Sequence, residues 1–233
     1  MGTLNVCDLG LVEYRAAYAI QERVRAARQA GEIEDTLLLL EHPAVLTKGR
    51  RTEAGELPMG ESWYLSQGID VVDVDRGGRL TYHGPGQLVG YPIMGVTDVL
   101  AFVRTMEQAL VASLIDEGLE ARARAAEGPD FTGVWVQDRK IASIGIHVAR
   151  GVATHGFAVN ADNDLQPFGY VVACGLPDVQ MTSLTKETGR HDTLPRLREH
   201  VVRHFAAAHG LSPRPIGADS LPAAGTAGAA GER

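Results

Sequence analysis

The chain has 233 residues, 45% of them hydrophobic and 22% charged, enough to bury a sizeable core in one domain or at most two. Its net charge of −7 and pI near 5.6 argue against a nucleic-acid partner, leaving room only for a local basic patch. No run of ~18 apolar residues occurs, so no membrane span is expected.

Met1 to Gly10 lacks a basic stretch followed by an apolar one, and Val6 stands where a myristoylation signal needs Ser or Thr. Two cysteines, Cys7 and Cys174, make no disulfide framework, which fits a reducing cytoplasm. Only three of the 22 basic residues are lysines: Lys48, Lys140 and Lys186. Codon preference is the plain cause, yet a partly buried lysine can release a proton where arginine cannot.

In chain order, Leu4 to Asp8 is a short strand candidate. Val12 to Ala30 carries apolar residues at helical spacing and is closed by Gly31. Thr36 to Glu41 (TLLLLE) is a continuous apolar run of strand length, ended by His42-Pro43. Val45 to Gly60 reads as a loop with a basic cluster, Lys48, Arg50 and Arg51, which is either a solvated surface or a docking patch. Ile69 to Val74 reads as a buried strand. Leu88 to Ile93 is another strand, and Val99 to Glu117 an amphipathic helix closed by Gly118. Gly133 to Gln137, Arg139 to Val148 and Val152 to Val159 form a strand meander with turns at Asp138-Arg139 and Arg150-Gly151. Leu194 to His209 is a last helix. From Leu211 the chain is rich in Pro, Ala, Gly and Ser, so residues 1–210 are expected as one domain and 211–233 as a disordered tail. Interleaved elements without strict βαβ alternation predict an α/β fold of the α+β type, with a mixed, largely antiparallel sheet and packed helices.

The chemistry concentrates between Arg76 and Ile93 (RGGRLTYHGPGQLVGYPI), with five glycines and two prolines in eighteen residues. Such a stretch makes an ordinary turn, or it lets backbone approach a ligand closely. Cys174, in VVACGLPD, has small neighbours, Ala173 and Gly175, which leave the sulfur accessible and the Gly175 amide available as a donor. A lone cysteine is usually a buried small hydrophobe, and the nucleophile reading needs a group that lowers the thiol pKa. Lys140 is the best candidate. Strict alternation puts Lys140, Ala142, Ile144 and Ile146 on one strand face, and Ile141, Ser143, Gly145 and His147 on the other. His83 and His155 are rival bases. His200 and His204 stand at i and i+4 without a completing glutamate, so they read as helix-surface residues and no metal site is expected.

RGGRLTYHGPGQLVGYPI, then KIASIGI, THGFAVN and CGL, in this order, resemble the lipoyl(octanoyl) transferases. The resemblance runs from about His42 to Leu184. It implies a fold like the catalytic domain of biotin and lipoate protein ligases and no cofactor. It also implies a reaction: octanoyl passes from octanoyl–acyl carrier protein to an enzyme cysteine, then to a lysine of a lipoyl domain or of the glycine-cleavage H protein. On that basis Cys174 is the nucleophile and Lys140 tunes it. Substrate contacts map onto Arg76, Gly77, Gly78, Arg79, Leu80, Thr81, Tyr82 and His83, onto Ser143, Ile144 and Gly145, and onto Gly156, Phe157 and Ala158. Ala173 departs from the proline that many members carry before the cysteine. The competing readings are an ATP-dependent lipoate or biotin ligase, an octanoyl amidotransferase, and a module that only binds acylated carriers.

Overall fold

The computed structural model describes residues 2–172 and 179–223. Eleven strands and five α-helices are assigned among them. The larger sheet has eight strands in the order β11 (Leu211–Pro215), β1 (Gly2–Leu11), β2 (Thr36–Glu41), β6 (Gln87–Ile93), β10 (Val152–Asn160), β9 (Arg139–Ala149), β8 (Gly133–Val136), β7 (Ala121–Ala123). β1 pairs in parallel with β11 and β2, and every other neighbour in this sheet is antiparallel. A second sheet of β4 (Asp70–Asp73), β3 (Val45–Lys48) and β5 (Thr81–His83) stands beside it. The fold is therefore the mixed, largely antiparallel sheet with packed helices that the sequence predicts.

The unbroken apolar run of β2 has a direct cause, because both its faces are covered. Leu37 and Leu39 join the core under α3 (Val99–Asp116) and α5 (Leu194–Ala208). Leu38 and Leu40 join the opposite core under α1 (Tyr14–Ala30). α1 starts at Glu13, whose carboxylate accepts from the Ala16 amide, and ends at Gly31 in a left-handed conformation. His200 and His204 join α5 to the end of α3: His204 Nε2 is 2.6 Å from Asp116 and His200 Nδ1 is 3.1 Å from the buried Glu117. α5 itself is capped from a distance. Asp162, just past β10, accepts from the amides of Thr193 and Leu194 at 2.8 and 3.0 Å, and from the hydroxyls of Thr193 and Thr185.

Three expectations are corrected. The stretch 45–60 is not all loop: it holds β3 and a short 3-10 helix, Ala54–Glu56. The strand at Ile69 to Val74 is only half-buried, because β4 lies at the edge of the small sheet. The tail does not begin at residue 211. Leu211–Pro215 forms a strand on β1, Arg214 donates to Asn5 Oδ1, and Ile216 and Leu221 pack against the α1-side core. Pro213 and Pro215 argue for disorder by composition but are tolerated on an edge strand, where an absent N–H breaks no inner ladder. Residues 224–233 lie outside the described residues.

Candidate active site

A cleft opens on the α1 side of the large sheet, closed over by the small sheet and the loop that follows β4. Its atom-free space, open mouth included, is about 620 Å³. The loop is fastened by Arg76, which is buried. Its guanidinium donates to Thr47 O and Oγ1, both at 2.7 Å, and to Arg79 O at 2.8 Å. The Gly77 amide donates to Ile146 O on β9 at 2.9 Å. Only glycine fits beneath this loop at position 145, where a Cβ would lie 2.8 Å from Gly77 O. Arg79 faces the cleft with its charge matched by Glu53 and Glu56 at 2.8 and 2.7 Å.

Lys140 is the second residue of β9 and is 2% exposed. The β8–β9 register shifts between Val134 and Trp135: Val134 faces Ala142, whereas Trp135 faces Lys140. Ile141 is thus the extra residue of a β-bulge, and Ile141 and Ala142 both enter the core beneath α3 and α5. The strict alternation expected from sequence is therefore wrong at this point. Lys140 shares its face with Ser143 and Gly145, not with Ala142 and Ile144. Lys140 Nζ lies 5.3 Å from the centre of the Trp135 ring. The Lys140 amide donates to Gln180 O, and the Thr182 amide donates to Lys140 O, both at 2.9 Å.

His155 reaches the cleft by a different device. Its neighbours on β10 alternate: Ala153, Phe157 and Val159 face α3 and α5, while Val152 and Ala158 face α1. His155 should follow Phe157, yet it has φ 56, a left-handed backbone rare for a side-chain-bearing residue. That turn brings its ring against Tyr14 and Tyr18 of α1, with Nε2 donating to Asp75 at 2.7 Å and Nδ1 3.3 Å from the Tyr14 hydroxyl. Burial pushes the His155 pKa down against the pull of Asp75, whose own carboxyl is held at about 2 by the His155 bond. His83 is also spoken for. Gln87 gives its amide N–H groups to Tyr82 O and Asn160 Oδ1, so Gln87 Oε1 accepts from His83 Nδ1 at 2.7 Å. Burial and the nearby His42 push the His83 pKa well down. Both rival bases have their ring nitrogens engaged away from Lys140.

Of the residues singled out by sequence, Arg76, Gly78, Arg79, Leu80, Thr81, His83, Lys140, Ser143, Ile144, Gly145, His155, Gly156, Phe157 and Ala158 border this one cleft. Ile144 and Phe157 do so with side chains that belong to the core behind it. Gly77 serves the loop rather than the lining. Tyr82 points away, edge-on to Phe168 in a third apolar cluster. Cys174 and Gly175 lie outside the described residues. Sequence reasoning missed Tyr14, Tyr91 and Thr132 in the lining and Asp75 behind it. Tyr14 and Tyr91 sit in ordinary amphipathic and apolar patterns, which carry no sign of a site. Among the described residues no cluster of three or more His, Cys, Asp or Glu is placed to hold a metal, and no helix is long and apolar enough to cross a membrane.

The architecture is shared with solved structures. Lipoate-protein ligase A bound with ATP superposes with TM-score 0.75 at 20% identity, covering 93% of this chain and 88% of that one. Biotin protein ligase from Aquifex aeolicus superposes at 0.51 and 10% identity over 90% and 70%. At such identities the likeness defines the fold class, that of the lipoate and biotin protein ligase catalytic domains. Sequence goes further. The lipoyl protein ligase A/B catalytic domain matches residues 13–206. An octanoyltransferase of Mycobacterium tuberculosis (strain ATCC 25177 / H37Ra) is 45% identical over 89% of this chain and 88% of its own. One of Acidothermus cellulolyticus is 47% identical over 83% and 86%. The chain belongs to the octanoyltransferase family and is an acyltransferase.

Proposed function

We propose that the octanoyl group comes from octanoyl–acyl carrier protein, is held as a thioester on Cys174, and is passed to a lysine of a lipoyl domain or of the glycine-cleavage H protein. The observation that carries this reading is the placement of Lys140. It is a buried amine on the cleft wall, and its backbone is bonded on both sides to Gln180–Thr182, the segment to which the chain returns after Cys174. Val172, two residues before Cys174, donates its amide to Glu56 O, beside the cleft loop. In the proposed first half, Cys174 sulfur attacks the thioester carbonyl, Lys140 takes the thiol proton and returns it to the departing carrier thiol. In the second half, the acceptor amine attacks the acyl-enzyme, and Lys140 moves the amine proton to the Cys174 sulfur as the amide forms. Thiol exchange between thioesters is nearly balanced, and the final amide makes transfer run forward. Burying most of an eight-carbon chain contributes roughly 5 kcal/mol at about 0.8 per CH₂.

The docking patch foreseen at Lys48, Arg50 and Arg51 loses much of its support. Lys48 Nζ lies 2.5 Å from Glu61 and 3.0 Å from Asp73, and Arg51 lies 3.0 Å from Asp130. The test is intact-protein mass measurement after mixing with octanoyl–acyl carrier protein, without ATP or acceptor. One added octanoyl group, present in Cys7→Ala and missing in Cys174→Ala, is the expected result. Acceptor modification only with ATP and free octanoate would replace this reading with a ligase.

A further inference from the structure

We infer that the ring cluster of Tyr14, His42, His83, Tyr91 and His155 is the end wall of the acyl site and sets the chain length of the acyl group accepted. The inference rests on the acyl-transfer reading of the cleft. Tyr14, His83, Tyr91 and His155 line the same cleft as Lys140. Their rings interlock: Tyr14 lies 5.0 Å from His42 and 6.1 Å, stacked, from His83, and His42 lies 5.9 Å from Tyr91.

Each polar atom of the wall is turned to a partner within it or behind it. His42 Nδ1 donates to Val12 O, so its Nε2 accepts from the Tyr91 hydroxyl at 2.7 Å. Tyr14 hydroxyl faces His155 Nδ1, and His83 is held by Gln87 and faces Thr47 Oγ1 at 3.5 Å. Rings with their donors and acceptors engaged offer an apolar surface to a methyl end, and a bonded network resists displacement by an overlong chain. The left-handed backbone of His155 fits this role, since such a conformation is retained where surrounding structure and function hold it.

The spacing agrees. Ser143 lies between Ala158 and Gly133, at whose level the Lys140 side chain ends, since a Gly133 Cβ would lie 2.9 Å from Lys140 Cε, and His155 is opposite Ile146. Three strand steps at ~3.3 Å separate these levels by roughly 10 Å. An extended eight-carbon chain spans roughly 9 Å at ordinary carbon–carbon bond lengths. An acyl group with its carbonyl near Lys140 therefore ends at the rings.

The experiment uses the full chain and two variants at the first residue of α1, Tyr14→Ala and Tyr14→Trp. Acyl-enzyme formation is followed by mass with carrier-protein donors of 6 to 14 carbons. Calorimetry measures binding of the free fatty acids of the same lengths. Tyr14→Ala is expected to raise the 12-carbon to 8-carbon rate ratio at least tenfold, and Tyr14→Trp to shift the optimum toward 6 carbons. If Tyr14→Ala does not fold, the Tyr14→Trp shift decides alone. An unmoved length profile in folded variants, by both rate and binding, overturns the wall. If no donor acylates the wild-type protein, the transfer reading fails, while a shifted fatty-acid binding profile still supports the wall.

Discussion

At the scale of single residues, the proposed transfer turns on one of only three lysines among 22 basic residues. Lys140 stands on the wall of the cleft, with the two histidines that could rival it already committed to Gln87 and Asp75. Lys140→Arg keeps charge and length but cannot cycle a proton near neutral pH. We expect a loss of about 10²–10⁴-fold in acylation rate, the usual worth of a positioned acid–base group, with the fold intact by circular dichroism. Activity within a few-fold of wild type would remove Lys140 from proton transfer. Cys174 stands out as a candidate in sequence because Ala173 and Gly175 flank it, and it lies outside the described residues. The face on which Lys140 points was not legible, because a one-residue bulge reverses an alternation that sequence alone extends unbroken.

At the scale of elements, two positions test the frame, one beside that amine and one away from it. Gly133 opens β8 with φ 132, and its amide donates to the buried Glu107 at 2.8 Å. A Cβ there would lie 2.9 Å from Lys140 Cε and closer still to Ala142 O. Gly133→Ala is therefore expected to lower both stability, by roughly 2 kcal/mol, and acylation rate, by tenfold or more. Equal activity at equal stability would show that the strand start does not seat Lys140. Asp162→Ala removes the acceptor for two amides and the Thr193 hydroxyl at the start of α5, and for the Thr185 hydroxyl of the short helix Leu184–Thr188. The expected loss is about 2 kcal/mol, read as a fall in melting temperature of about 5 °C with the acylation rate unchanged. β2, α1, α3 and α5 were legible because their apolar periodicity records what covers them. The Asp162 cap was not, since it lies some thirty residues before the helix it serves and leaves no local signature. The left-handed turn of His155 was hidden for a similar reason: nothing near THGFAVN marks a strand residue whose backbone is held by Gln21 of α1.

At the scale of the whole molecule, three histidines, His42, His83 and His155, are buried and have lowered pKa values, with His42 at about 4. In the unfolded chain each takes up a proton near pH 6.5. The unfolded state thus binds more protons below that value, and stability falls as pH drops from about 6.5 toward the folded values. His42 alone accounts for about 3 kcal/mol across its window. Asp75 acts in a separate, lower range: its contribution is present above the ordinary carboxylate pKa and fades as pH falls toward about 2. Urea midpoints should fall between pH 7.5 and 4.5 with little change in slope, and a flat series would contradict neutral burial of these rings.

The sheet order has a consequence for how the chain is made. One edge of β1 is covered by Leu211–Pro215, a strand made some two hundred residues after it. Until then a row of unpaired backbone groups is open to pairing with any passing extended chain. A nascent or truncated product ending near residue 210 should therefore form aggregates more readily than the longer chain, while the cleft, whose walls come from earlier residues, is already encoded in full.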